Sequence, residues 1–489
     1  MSLHCIPIRS QPPKSPCPDL LLNNLTPTDL QLHQVRQSIQ GADEDIPRLQ
    51  DAINRLSSQL EALQSFVERH RGVVSVVRQL PNEVLLKIFT HSLNFKHPLF
   101  NSMNALSNII RVCARWRAVA LASPSLWRHF VFNSVAYQSL RGPSRNAKLL
   151  RQTSLQLQRS GQTPLSVHLT GYSIEQELLD TLLTVSSRWQ SASLRLAPSY
   201  YRHIFTSRAD FTILKELTLK FEDPYNGDAT GFVQSLPVLV DFTLHMSRRE
   251  WHIPRGFESL WARLLACTLV QCHTEAILRI LPLFSPETRV SLVDCVADVQ
   301  VGDSGLAPVQ LAISALSLNS CRNEFITIFL KVVAAPRLKK FVVSECDPYR
   351  TCSLLPSITA FLSNSSCTLT HLALCVKYAI LSELLTLLTL PHTRHICALD
   401  IDFLSTPSAP VIDALAAHDI VPNLRSFTLR NCGSVEDAGI LALHTSRRPI
   451  LQQLWLQRCT NGLTLSRAAS QTLKSDGLEV VIFQHLDYW

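Results

Sequence analysis

Several sets of side chains in this sequence could do chemistry, and each is judged by what surrounds it. Gly302-Asp303-Ser304-Gly305 sets a serine hydroxyl beside a carboxylate in a glycine-flanked turn, a setting compatible with acyl transfer. No further glycine follows, and no recognisable pattern places a His and an Asp to activate the serine, so the tetrapeptide reads as a surface turn. The 17 histidines include no H-E-x-x-H and no Cys/His spacing of a zinc site. With 14 glycines in all, the chain has no glycine-rich phosphate loop. The 14 cysteines form no C-x-x-C pair, and no basic-then-apolar leader follows Met1, so reduced thiols in cytosol or nucleus are expected. These absences predict a protein that is not an enzyme, with no catalytic residues, no metal and no cofactor.

Charge narrows the partners. The net charge of +8 is uneven: residues 1–160 hold 19 Lys/Arg against 9 Asp/Glu, and the remainder hold 27 against 29. No acidic residue lies between Glu83 and Glu175, although eleven basic ones do. A nucleic-acid surface would need interleaved aromatics or a known motif among these cations, and neither is present, so a basic face steering toward an acidic protein is expected. The longest apolar stretches, such as Leu381 to Leu390, are far short of the roughly 20 residues a bilayer-crossing helix needs.

The remaining chemistry is recognition, and it centres on Leu80 to Trp127. Leu80 and Pro81 precede a run in which Val84, Leu85, Ile88 and Phe89 fall at helical spacing, with Glu83 placed where a helix N-terminus favours negative charge. Farther on, Val112, Trp116 and Val119 line a second stripe, Pro124 stops that helix, and Leu126 and Trp127 follow. Short helices with this much apolar surface need a partner for part of it. The ordered series LPNEVLLKIF, then V-C-x-x-W, then P-x-L-W resembles an F-box, with a longer middle connection at Asn94 to Asn104. The resemblance implies docking onto the small, acidic Skp adaptor, and through it onto a cullin-based ubiquitin ligase. It also implies adaptor contacts at Leu80, Pro81, Glu83, Val84, Leu85, Ile88, Phe89, Val112, Trp116, Leu126 and Trp127.

Around this centre the chain divides into a Pro/Ser/Asn-rich arm (1–28), a heptad segment (29–72), the F-box (76–135), a basic linker helix (136–160) and a C-terminal region (161–489). In the heptad segment Gly41 and Pro47 interrupt the pattern, so the dependable helix is expected from about Arg48 to His70. It either packs on its own F-box, the reading favoured by the short connection, or self-associates weakly through 48–70.

The C-terminal region repeats one theme. Val167/Leu169, Leu194/Leu196, Leu217/Leu219, Phe242/Leu244, Cys267/Leu269 and Val290/Leu292 alternate apolar, any, apolar; so do Leu316/Leu318, Phe341/Val343, Leu372/Leu374, Leu399/Ile401, Phe427/Leu429, Leu454/Leu456 and Val481/Phe483. The steps run mostly from 23 to 28 residues, with a longer one before Leu372. This period resembles a leucine-rich-repeat solenoid, in which each turn gives one short parallel strand and a helical or irregular return. Cys272, Cys295, Cys321, Cys346, Cys432 and Cys459 each stand three residues after the second apolar member, where a small thiol suits a buried corner. The expected fold is therefore α plus α/β: an N-terminal helix, a helical F-box, then the solenoid.

Together these features predict the substrate-recognition subunit of a Skp–cullin–F-box ligase, with an unknown target protein held by the solenoid. The alternative is an F-box scaffold that delivers no ubiquitination substrate. In an apolar-x-apolar strand the middle residue and its neighbours two positions away face opposite to the core. That places Asp400, Asp402, Thr428, Arg430, Gln453, Trp455 and Gln457 on the expected target face, where an exposed Trp455 would resemble an interface hot spot unless the tail at His485, Tyr488 and Trp489 covers it.

Overall fold

The structure, a computed structural model, describes residues 13–93, 102–134, 144–172, 174–221, 223, 225–246, 253–297, 308–344, 353–375, 381–402, 409–417, 419–431, 436–457 and 465–483. The 302–305 turn, Cys346, Cys432, Cys459 and the tail from His485 lie outside them. Two compact units result, Met1–Ile88 and Phe89–Trp489.

The first unit is dominated by one helix, Asp29–Val73, of 45 residues. It starts earlier than the sequence suggests, because Thr28 and Gln31 close a capping box: the Thr28 hydroxyl accepts the Gln31 N–H at 3.4 Å and the Gln31 side chain accepts the Thr28 N–H at 2.9 Å. Pro47 does not break it. A proline removes one intrahelical bond, and on this exposed stretch water can satisfy the Asp43 carbonyl left over. None of the 45 residues is buried.

The second unit is built on a 14-stranded parallel sheet whose strands follow one another in chain order. All thirteen expected pairs lie in strands, and register settles their details. Phe341 pairs with Leu372 and Val343 with Leu374, so the longer step before Leu372 does not interrupt the sheet; the helix Leu355–Ser365 occupies the return. Two pairs are corrected. Val167 and Leu169 align with Ala192 and Leu194, not with Leu194 and Leu196, because the strand Trp189–Leu196 runs on for eight residues and offers three inward positions. At the far end Leu454 and Leu456 align with Val480 and Ile482, one residue before the expected Val481/Phe483, since Glu479–Phe483 is apolar at four successive positions and carries no alternation to read. The sheet also starts one strand earlier than expected. His129–Asn133 pairs with Leu165–Gly171, placing Phe130 opposite Val167 and Phe132 opposite Leu169.

A recurring corner joins strand to return. Gln271, Asp294, Ser320 and Asn431 each adopt positive φ between 48° and 59°, one residue before a cysteine position. Their N–H groups continue the ladder, as in Gln271 N–H to Val293 O at 2.9 Å and Asp294 N–H to Asn319 O at 3.1 Å. Behind the corner Cys272, Cys295 and Cys321 are fully buried. The Cys295 thiol donates to Leu269 O at 3.6 Å and that of Cys321 to Leu292 O at 3.5 Å, so each thiol holds the strand of the previous turn. Burial pushes the Cys272 thiol up to about 12, which keeps it protonated as a donor.

Candidate functional site

The F-box segment begins where Leu85 N–H bonds Pro81 O at 3.1 Å, opening the helix Asn82–Ser92. Residues four apart share a helix face. Leu85 and Phe89 form the inward pair and are buried, at 0% and 1% exposure. Val84 and Ile88 form the neighbouring pair and stand open, at 38% and 43%, with Pro81 and Glu83 also exposed and Leu80 half-buried. The boundary between the two units falls inside this helix, after Ile88.

In the second unit Phe89 packs against Trp116 with ring centroids 4.8 Å apart and ring planes inclined by 56°. Trp116 is held by an N-terminal cap: extended Cys113 ends the helix Ser102–Val112, and its sulfur accepts the Trp116 N–H at 3.4 Å as Ala114–Leu121 begins. This gives the V-C-x-x-W spacing a physical reason, since a cap residue reaches the N–H three positions on. Val112 is 60% exposed and Trp116 half-buried, whereas Leu126 and Trp127 are inside, the Trp127 indole donating to Ala120 O at 2.9 Å. The eleven predicted contacts thus divide: Leu85, Phe89, Leu126 and Trp127 are buried, Leu80 and Trp116 are half-buried, and Pro81, Glu83, Val84, Ile88 and Val112 offer surface.

On the open face of the sheet, Asp400 and Arg430 form an ion pair at 2.6 Å across adjacent strands, and Asn431 donates to Asp402 at 2.8 Å. Burial raises the Asp400 carboxyl above its ordinary value, and Arg430 opposes that shift. Trp455 is half-buried, with Thr428 and Val481 as its register neighbours, and Gln453 donates to Glu479 at 2.9 Å. A shallow concavity of about 340 Å³ spans the strands from Lys340 to Arg430, with Ala373 at its floor between Val342 and Asp400. The short side chain of Ala373 makes the dent, a feature that apolar periodicity does not report.

Two features of this face went unpredicted. Ser193, Thr218, Thr243, Thr268, Ser291 and Ser317 stand in one register column, a run of six hydroxyls over six strands. Beside it Arg195, Lys220 and His245 share a row. Burial, reinforced by Lys220 and Arg195, lowers the His245 pKa to about 4, and burial with Arg128 and His168 does the same to His129. Both values lie below the ordinary 6.5, so the unfolded chain binds more protons than the native one in that window. Stability is therefore fully present above about pH 6.5 and lost as pH falls toward 4. The urea midpoint should drop across that range, and His245→Gln should remove part of the slope; parallel pH profiles for the two proteins would contradict the assignment.

Among the described residues no group of three or more His, Cys, Asp or Glu could hold a metal ion, and no helix is long and apolar enough to cross a membrane. Residues 77–133 match the family model described as F-box-like. The match runs from the 3-10 turn Val76–Arg78 through the first strand of the sheet, so an F-box-like domain leads directly into a parallel, leucine-rich-repeat-type array. No curated protein matches the chain. Domains of this family are protein-interaction adaptors, generally without enzymatic activity, and typically bind Skp-type partners.

Proposed function

We propose that this chain is the substrate-recognition subunit of a Skp–cullin–F-box ubiquitin ligase, acting in cytosol or nucleus, with the F-box docking the Skp adaptor and the solenoid holding a target protein. The observation that carries this reading is the pairing of Val84 with Ile88, two open apolar side chains on one helix face beside Pro81, within the F-box-like match. Apolar anchors of this kind, surrounded by polar groups, concentrate binding energy. The basic run after Glu83 suits an acidic adaptor, and the chain then contributes proximity and orientation while other subunits perform catalysis. The target would sit on the open face of the sheet, where Asp400, Arg430 and Trp455 lie beside the concavity over Ala373.

The test is co-expression with a Skp adaptor and measurement of complex affinity for wild type and Ile88→Asp. A half-exposed position tolerates the charge without disturbing the fold, so circular dichroism should be unchanged while affinity falls at least about thirtyfold, a loss of about 2 kcal/mol. Undiminished affinity in the folded variant would remove the adaptor assignment.

A further inference from the structure

The helix Asp29–Val73 leaves a continuous apolar stripe unburied along all of its length, about 68 Å at the ordinary helical rise. Its spacing is strict. Counting every seventh residue from Leu32 gives Leu32, Ile39, Ile46, Ile53, Leu60 and Val67. Three positions after each stand Val35, Ala42, Leu49, Leu56, Leu63 and His70. The central members are open to solvent, with Ile53 at 55%, Leu56 at 65%, Leu60 at 56% and Leu63 at 63% exposure. A stripe this narrow, repeating every 3.5 residues over six heptads, is the seam of a coiled coil and not the broader face of a helix packed on a globular core.

We propose that this helix pairs in parallel with the same helix of a second copy of the chain. Four observations select that occupant. Isoleucine predominates at the first seam position and leucine at the second, the combination that favours two parallel strands, because a parallel pair stacks Ile on Ile and Leu on Leu. The flanking positions that meet across a parallel dimer are Gln31 with Arg36, Ser38 with Asp43, Asp45 with Gln50, Ala52 with Ser57, Gln59 with Gln64 and Phe66 with Arg71; no pair brings like charges together. The two residues that ordinarily spoil a helix, Gly41 and Pro47, fall at the third and second heptad positions, off the seam. A capping box fixes the helix start just ahead of the first seam residue. The same sequence therefore presents a self-complementary seam in register with itself, and the proposal does not depend on adaptor binding. A dimer joined this way would present two solenoids together, raising the effective concentration of the second once the first has bound.

The experiment uses the full chain alone. Sedimentation equilibrium at micromolar concentration should give twice the 54.8 kDa chain mass. Leu56→Asp with Leu63→Asp should weaken the dimer at least a hundredfold, while Ser58→Asp, on the outer face, should not. Loss of the helix in the double variant could imitate loss of pairing, so orientation is tested separately in a folded protein. Val35→Cys, near one end of the seam, should form a 35-to-35 disulfide on mild oxidation, identified by mass spectrometry. A monomeric wild type, a dimer that survives the double variant, or a dimer without that cross-link would each overturn the proposal.

Discussion

Arg447→Ala should lower the stability of the C-terminal turns by about 3 kcal/mol or more, the largest effect expected from any single polar side chain in the second unit. Arg447 is 1% exposed, and its guanidinium faces backbone oxygens. It donates to Leu415 O at 2.6 and 2.9 Å, to Ala417 O at 2.6 Å, to Val421 O at 3.1 Å, and to Ile420 O. These carbonyls cluster at the end of the helix Ala409–Ala416 and in the turn after it, where the chain reverses through Val421 at positive φ of 51°. A helix end leaves carbonyls without intrahelical partners and carries partial negative charge, so a cation there is doubly favoured. Burial lowers the Arg447 pKa, yet a guanidinium stays charged at any working pH. Val421 O keeps the Leu424 N–H at 3.3 Å, but removing the guanidinium strips the Leu415, Ala417 and Ile420 oxygens of this donor in a buried site, at about 1–3 kcal/mol for each one left unsatisfied. Arg447→Lys should recover little, because an ammonium cannot reproduce the planar fork. The measurement is hydrogen exchange across 409–457 with urea denaturation. Unchanged protection in Arg447→Ala would show that the carbonyls find other partners.

No sequence signal marks that arginine, and the reason separates what could be read from what could not. Strands were legible because a buried pair such as Phe242/Leu244 must recur once per turn of a parallel array. Reading failed where alternation weakens: at Ala192, too small to stand out, and at Val480 to Phe483, uniformly apolar. Phe130 and Phe132 were hidden by the long insertion before Val167, which puts them outside the regular period. In the F-box segment the residue types were legible but their division was not. Leu85 and Val84 are both apolar neighbours, and only the direction of the helix in three dimensions decides which is covered. Arg447 is harder still, since its partners are backbone carbonyls from 26 to 32 residues earlier, which carry no residue identity.

Trp127→Ala should be the most damaging apolar truncation in the F-box segment, costing about 3–5 kcal/mol from lost burial and the cavity left behind. Position explains why. The turn Pro124–Trp127 is the last piece of the helical segment, and His129–Asn133, which opens the sheet, follows at once. Trp127 is 2% exposed, its indole N–H donates to Ala120 O at 2.9 Å, and the Arg159 guanidinium lies over its ring, 4.5 Å from the centroid. From the same helix, Ser144–Ser160, the Gln156 amide donates to Trp127 O at 3.2 Å and His129 O at 2.8 Å, satisfying oxygens at the edge of the array. The Trp127 indole therefore ties the helical segment to the basic helix, and Gln156 carries that link on to the first strand. Its loss also takes the indole donor from the Ala120 carbonyl, which keeps the Ser123 N–H at 3.4 Å, and forfeits the contact of Arg159 with an aromatic face. Because each repeat leans mainly on its neighbours, the damage should stay local. Hydrogen exchange should rise in 114–133 and 147–160 while strands from Ala315 onward keep their protection. A uniform loss over the whole sheet would mean that the array unfolds as one cooperative block, and retained protection around Trp127 would show that its cavity collapses at little cost.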